Sequence, residues 1–328
     1  LGAPLGRGKT AAMGSKRKKR RRWAEFTPLA WLIYIALRCF VFAVQLLPRQ
    51  SHGSFGRVVG RLLQLVDRKH ARIARSNLER SEGVVTGDAI PAFLDRVYAG
   101  VGRSIIELAL IPRWLRRGEL RSKVRCEGLE RFDACLAEGH GGIIATGHMG
   151  NYELGFITVA SAGYPLSALA RPIPNRFVDG YVSAVRSQTG GKIIPTDRSI
   201  REMLKVLRGN GLLGIETDMD AKSDGVIVDF LGRPASMHRS AALFSLRCDS
   251  PVLVVCCFRE EGENVLRVYE PIRPSDFRGR EDALEAMTQA IATRFEMAVR
   301  EHPEDWLWLL DRWRGGEKLM QRRDAERA

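Results

Sequence analysis

Between Pro28 and Pro48 the chain runs through nineteen residues, Leu29 to Leu47, that are apolar except for Arg38 and Gln45. A helix of about 20 apolar residues is long enough to cross a bilayer. Whatever the rest folds into must therefore put this stretch in a membrane, at its interface, or in a core. The eleven Leu, Ile, Phe and Val residues of the stretch each favour insertion by roughly 0.3–0.6 kcal/mol at a helix centre, and a central Arg costs about 2.5–3.5. The balance is close to zero, so Arg38 weakens a span without forbidding it. Trp31, Tyr34, Arg38 and Gln45 also fall on one helical stripe. That pattern suits a helix lying in the interface or packing its stripe against the remainder of the protein.

The formal charge of +14 over 328 residues suggests a polyanion partner until it is located. Residues 1–22 hold nine Lys/Arg and no acid, including the unbroken basic run from Lys16 to Arg22. The remainder balances 43 basic against 38 acidic residues. Most of the basicity is thus an N-terminal arm, expected to be disordered over residues 1–26. Ahead of an apolar helix at 27–48, such an arm points to an anionic membrane surface, with no nucleic acid as partner. The segment lacks the small-residue cleavage site of a secretory signal and is expected to be retained, although Met13 offers an alternative start. Positive-inside orientation places the arm in the cytoplasm, and a single span would then export everything after Pro48. The six cysteines form no C-x-x-C pair, which favours a reducing compartment. A monotopic or re-entrant segment reconciles the two.

Residues 49–328 read as one domain, helical first and then alternating. Ile90, Phe93, Leu94, Val97, Val101, Ile105 and Leu108 keep a helical period. From Gly141 onward, β-rich runs occur at 143–146, 166–170, 212–216, 226–230, 252–258 and 265–269. Helical patterns centred on Tyr181, Met203 and Ile291 lie between or after them. The expectation is an α/β fold, a mixed central sheet covered by helices, with a helical N-terminal membrane-associated segment.

The richest stretch is Gly141 to Gly155. A β run ends at Thr146, His148 follows in a glycine-punctuated turn, and a helix is expected from about Asn151. The carboxyl end of a strand is where open α/β sheets place ligands. Glu153, in the first turn of that helix, is positioned to reach back to the imidazole. A carboxylate–imidazole pair fixes the tautomer and leaves the other ring nitrogen to take a proton. The helix start offers free N–H groups to a developing anion. The same residues also suit a plain turn histidine and a glutamate favoured by the helix dipole.

The G-H-x-G-N-[aromatic]-E-L arrangement from Gly147 to Leu154 resembles the lipid A biosynthesis (lauroyl/myristoyl) acyltransferases, to which the mycobacterial phosphatidylinositol mannoside acyltransferases are related. Further blocks carry the resemblance along nearly the whole chain. They are Arg72-Ile73-Ala74 with Asn77-Leu78, Val124 with Gly128 and Glu130, and Arg171-Pro172 with Asn175, Arg186 and Gly190. Asp218, Phe230, Gly232 and Pro234-Ala235 follow, then His302-Pro303-Glu304-Asp305-Trp306. Tyr152 in place of the usual Trp, and Met237-His238-Arg239 after Pro-Ala, depart from the family pattern.

The resemblance implies a glycerolipid acyltransferase-like fold and an enzyme at the cytoplasmic face of the cell inner membrane. It implies acyl transfer from acyl carrier protein or coenzyme A to a hydroxyl of a membrane glycolipid, first of all a lipid A precursor. His148 would be the base and Glu153 its partner, with no metal or redox cofactor. Asn151, Arg171, Arg186, Asp218 and Arg233 are the candidate substrate contacts, the arginines because guanidinium clamps phosphate. Of Trp306 and Trp308, one is expected in the core and the other at the membrane interface.

Two rivals come from other classes. Asp218-Met219-Asp220 after a strand is a D-x-D, as in metal-dependent nucleotide-sugar glycosyltransferases. The basic arm alone would suit a non-enzymatic anionic-membrane-binding protein. A serine hydrolase is disfavoured because no G-x-S-x-G appears.

Overall fold

A computed structural model describes residues 27–196 and 199–327; the basic arm at 1–26 lies outside them. The helices are α1 (Thr27–Leu46), α2 (His52–Val66), α3 (Arg68–Glu79), α4 (Ile90–Arg117), α5 (Glu130–Ala137), α6 (Tyr152–Ser161), α7 (Arg176–Ser187), α8 (Ser199–Arg208), α9 (Ser240–Cys248), α10 (Ala283–Glu301) and α11 (Arg314–Arg327). The strands are β1 (Val124–Glu127), β2 (Gly142–Thr146), β3 (Leu166–Ala170), β4 (Lys192–Pro195), β5 (Leu212–Glu216), β6 (Val226–Phe230), β7 (Arg233–Met237), β8 (Val252–Glu260) and β9 (Glu263–Val268).

Seven strands form one sheet in the order β1-β9-β8-β2-β5-β3-β4. Every neighbouring pair is parallel except β8–β9. The sheet is therefore mixed, as the sequence pattern predicts. β6 and β7 pair separately as an antiparallel ribbon. Strands covered on both faces read as unbroken apolar runs, which is why 143–145 and 252–258 show no polar alternation. Successive side chains enter opposite cores. Ile143, Ala145 and Val254 join α8, α9 and α10 on one face. Ile144, Leu253 and Val255 join α4 and α6 on the other.

The first helix is only lightly covered. Val41 and Val44 are buried against α4, while Leu32, Ile33, Phe42 and Leu46 stay exposed. Of its polar stripe, Tyr34 and Gln45 are half-buried while Trp31 and Arg38 stay exposed. Gln45 Nε2 donates 2.9 Å to the Ala109 carbonyl, and the Arg38 guanidinium lies 4.9 Å from the Tyr181 ring centroid on α7. Asn175, the cap of α7, donates 2.8 Å to the Ala30 carbonyl. The apolar helix is thus docked through Val41, Val44 and the polar contacts of Gln45 and Arg38, and leaves Leu32, Ile33, Phe42 and Leu46 outward. It is the one helix among the described residues long and apolar enough to cross a membrane.

α2 crosses α4 with backbone almost touching backbone. A Cβ on Gly102 would lie 2.0 Å from the Gly56 carbonyl oxygen and 2.5 Å from the Gly60 nitrogen. The expected outcome of Gly102→Leu is separation of the two helices at a cost of roughly 1–3 kcal/mol. This should appear as a melting temperature several degrees lower in a thermal scan. An unchanged melting temperature would show that the close approach is not needed.

Candidate active site

β2 and β5 pair in parallel with Thr146 opposite Glu216. Two residues beyond each, the chain delivers His148 and Asp218 to the same point outside the carboxyl edge of the sheet. The register is carried past the strands by Thr217, whose N–H and hydroxyl both donate to the Thr146 carbonyl, at 2.8 and 3.1 Å. Gly147 makes room for the meeting. A Cβ there would sit 2.7 Å from Asp218 Cγ and 2.4 Å from the Phe295 ring.

Asp218 grips His148 twice. Its Oδ2 accepts from the His148 backbone N–H at 2.7 Å, and its Oδ1 lies 2.9 Å from Nδ1. The carboxylate can only accept, so the Nδ1 proton is fixed and Nε2 is the free nitrogen. Trp306 Nε1 donates to the same Oδ2 at 3.1 Å. The segment around Trp306 braces the whole loop. Leu307 N–H donates 2.9 Å to the His148 carbonyl, and Gly150 N–H donates 2.7 Å to the Asp305 carbonyl.

Burial works against an imidazolium at His148. The Asp218 carboxylate, by charge and hydrogen bond, outweighs it and raises the imidazole to about 9. Asp218 is itself pushed up by burial, but the contacts with His148 overcome this and hold it below the usual carboxylate value. Nε2 faces Glu216, whose Oε2 is 3.8 Å away. Burial raises Glu216, with His148 pulling the other way. The Tyr152 ring stands edge-on to the imidazole at 4.9 Å between centroids.

Beside this cluster a cavity runs down against the sheet, walled by Ile144, Phe156, Val159, Leu166, Val255 and Leu266. Among the described residues its charged lining is Glu153, Arg186 and Glu216. The result is an apolar slot with a polar mouth beside Nε2. Cys257 also lines it, but burial pushes that thiol up to about 12, which removes it as a nucleophile.

The expected partnership of His148 with Glu153 is not the one found. Asn151 caps α6 by accepting the Leu154 N–H at 3.1 Å. Glu153 leaves the first turn towards α7, where it forms an ion pair with Arg186, with Nε 3.1 Å from Oε2. Asp218, expected to contact substrate, occupies the partner's place. Asn151 is buried, its Nδ2 donating 2.9 Å to Glu107, which makes it a cap and a brace. Arg171 is exposed just after β3, outside the cluster. Arg233 lies in the β6–β7 ribbon, paired with Glu317 at 2.5 Å and stacked over Trp313. The structure thus gathers His148, Glu153, Arg186 and Asp218, with Asn151 behind them, and leaves Arg171 and Arg233 apart.

Trp306 and Trp308 are both buried, so neither is at an interface. They follow a 3₁₀ turn at Pro303–Asp305 and pack edge to face. Glu216 was not singled out from the sequence. The signal for it is its position as the last residue of a β run two before Asp218.

The two carboxylates of the D-x-D turn to different partners. Asp218 is spent on His148 and Trp306, and Asp220 accepts from the Lys222 and Gly315 backbone N–H groups at 2.9 and 3.0 Å. No group of three metal-ligating side chains forms among the described residues. Both observations weigh against a metal-held diphosphate.

Residues 17–315 match the family model of bacterial lipid A biosynthesis acyltransferases. The chain is similar to a phosphatidylinositol mannoside acyltransferase of Mycobacterium tuberculosis, 28% identical over 254 residues, covering 73% of this chain and 76% of that protein. To the enzyme of that name from Mycolicibacterium smegmatis it is 23% identical, over 73% of this chain and 78% of the relative. A lipid A biosynthesis acyltransferase of Haemophilus influenzae is 22% identical over 315 residues, covering 93% and 92%.

The raised imidazole makes a signed prediction. A histidine held near 9 when folded, against an ordinary value near 6.5, contributes stability that is complete below about 6.5 and is lost as pH rises through 9. Asp218→Asn should return the His148 NMR titration to well below 9 and flatten the loss of denaturant stability between pH 7 and 10. A midpoint unmoved by Asp218→Asn would show that another group raises it.

Proposed function

Because the chain belongs to the bacterial lipid A biosynthesis acyltransferase family, we propose that it transfers a long-chain acyl group from a thioester to a hydroxyl of a membrane glycolipid. The observation that carries this reading is the His148–Asp218 pair at the polar mouth of an apolar slot. The acyl chain lies in the slot, bringing its thioester carbonyl to the mouth. Nε2 takes the proton of the acceptor hydroxyl while Asp218 holds the tautomer and stabilises the imidazolium. The oxygen attacks the carbonyl carbon, the C–S bond breaks, and the imidazolium returns its proton to the leaving thiolate. Arg186, clamped by Glu153, places a positive group beside the carbonyl as charge develops on its oxygen.

The donor is the thioester of acyl carrier protein or coenzyme A, and the first acceptor to test is a lipid A precursor. A glycolipid built on phosphatidylinositol follows, because relatives of both names match. The exposed apolar side of α1 and the basic arm support attachment to the cytoplasmic face of the inner membrane. The acyltransferase-like fold is part of the same proposal, as is the single catalytic domain after residue 48.

The test is an acyl-transfer assay on detergent-solubilised protein with both thioesters and total membrane lipid, read by lipid mass spectrometry. His148→Ala should lower turnover by about two orders of magnitude or more with the protein still folded. Turnover at the wild-type level would refute the base. Since the base acts neutral, kcat/KM should climb with pH through about 9. Asp218→Asn should shift that limb to lower pH and lower its plateau.

A further inference from the structure

A second concavity opens between α2, α4 and the β1–β9 edge, distinct from the apolar slot in its lining. Its wall carries five cations: Arg49, Arg103, Arg121, Lys123 and Arg125. Only Glu107 and Glu263 oppose them within the lining. Glu107 is already spent. Its Oε2 accepts from Asn151 and from Arg259, each at 2.9 Å, and its Oε1 accepts from Asn264 at 3.1 Å. Arg125 is paired with Glu127 and Glu260, and Lys123 reaches Glu119 only at 3.8 Å. Arg49, Arg103 and Arg121 have no carboxylate partner among the described residues. Burial is the main cause that lowers the Arg103 pKa, with the Arg259 guanidinium acting in the same direction and Glu107 and Asp305 opposing it. Like charges gathered around a crevice repel unless an anion sits among them.

Two features identify the anion's source. Ile106, Leu110 and Trp114 also line the crevice, an apolar floor that a free phosphate would not use. Arg49 follows the last residue of apolar α1 by three positions, the level at which basic residues meet headgroups beside a membrane helix. On α2, whose first residues His52 and Gly53 line the crevice, Val58, Leu62, Leu65 and Val66 are exposed. The helix that forms one wall of the crevice therefore also presents outward apolar surface. Through Glu107 the crevice also abuts Asn151, the cap of the helix that follows His148.

We propose that this crevice binds the phosphate of an anionic membrane lipid, with the lipid's glyceryl and upper acyl portion on the apolar floor. It deepens the reading of a lipid acceptor above, and rests on that reading only for the bound lipid's role in turnover. The site itself is testable without catalysis.

Full-length protein in neutral detergent is titrated with dihexanoyl phosphatidate, dihexanoylglycerol, coenzyme A and inorganic phosphate, with binding followed by native mass spectrometry. Phosphatidate should bind at least tenfold tighter than dihexanoylglycerol, coenzyme A or inorganic phosphate, and weaken as salt rises. Arg49→Ala with Arg121→Ala, both at exposed positions, should weaken it at least tenfold. Arg121→Lys should retain it, and Arg103→Gln gives an independent loss. His148→Ala should bind phosphatidate within twofold of wild type, so a protein inactive in acyl transfer still reports on the site. Equal binding of dihexanoylglycerol, or undiminished binding by a folded double variant, would overturn the proposal. Tighter, Arg121-dependent binding of coenzyme A would overturn the lipid assignment by giving the site to a soluble donor.

Discussion

Arg259 of β8, its guanidinium almost wholly removed from water, ties three parts of the chain together. It donates to Ser104 and Glu107 of α4 at 2.8 and 2.9 Å and to Asp305 of the C-terminal segment at 3.0 Å, while its own N–H donates 2.8 Å to the other Asp305 oxygen. Glu107 then holds Asn151, which caps α6, and Asp305 holds Gly150 through its carbonyl. A buried charge of this kind adds little net stability compared with an apolar replacement, but losing one partner strands the others at a cost of about 3–5 kcal/mol. Its effect is to fix position. The loop bearing His148 is held from below by β8, from one side by α4 and from above by the chain terminus.

Much of this was readable in the sequence, and the failures have identifiable causes. Six β runs, the histidine turn and the helix at Asn151 follow from apolar continuity and glycine placement, which are local. The carboxylate partner of His148 is not local. Glu153 is five residues away in sequence, but the cap at Asn151 sets the helix so that its carboxylate leaves towards Arg186. Asp218 is seventy residues away and arrives because β2 and β5 run parallel with Thr146 against Glu216. Equal offsets from a shared register bring them together, and a register cannot be read from either strand alone. Strands β1, β4 and β7 were missed for a related reason. They are short: β1 and β4 are partly exposed edge strands, and β7, though buried, carries Arg233, Pro234 and Ser236, so none offers a continuous apolar run. The expectation that Trp306 and Trp308 divide between core and interface assumed a helix, whereas the chain after Pro303 is a 3₁₀ turn and an extended stretch that buries both.

Charge and apolarity divide the molecule in the same direction. The slot beside His148 is apolar to its floor and polar only at its mouth, the arrangement suited to a chain-like substrate with a reactive head. The first two helices turn apolar side chains outward at positions a water-soluble surface would not choose. Between these lies the cationic crevice, joined to the histidine loop by Glu107. Apolar surface, cationic crevice and the His148–Asp218 pair therefore occur in sequence across one edge of one sheet.

The brace from Trp306 has a consequence for how the protein comes into being. Synthesis makes α1 well before the Trp306 segment, so strands β1 to β9 are all made before Asp218 gains its indole donor and Gly150 its carbonyl acceptor. A nascent chain can dock its apolar helix against α4 long before its histidine loop is locked. Products that end before residue 306 would carry that helix and the slot but an unbraced loop. In this architecture the apolar helix is seated early and the geometry around His148 is set later.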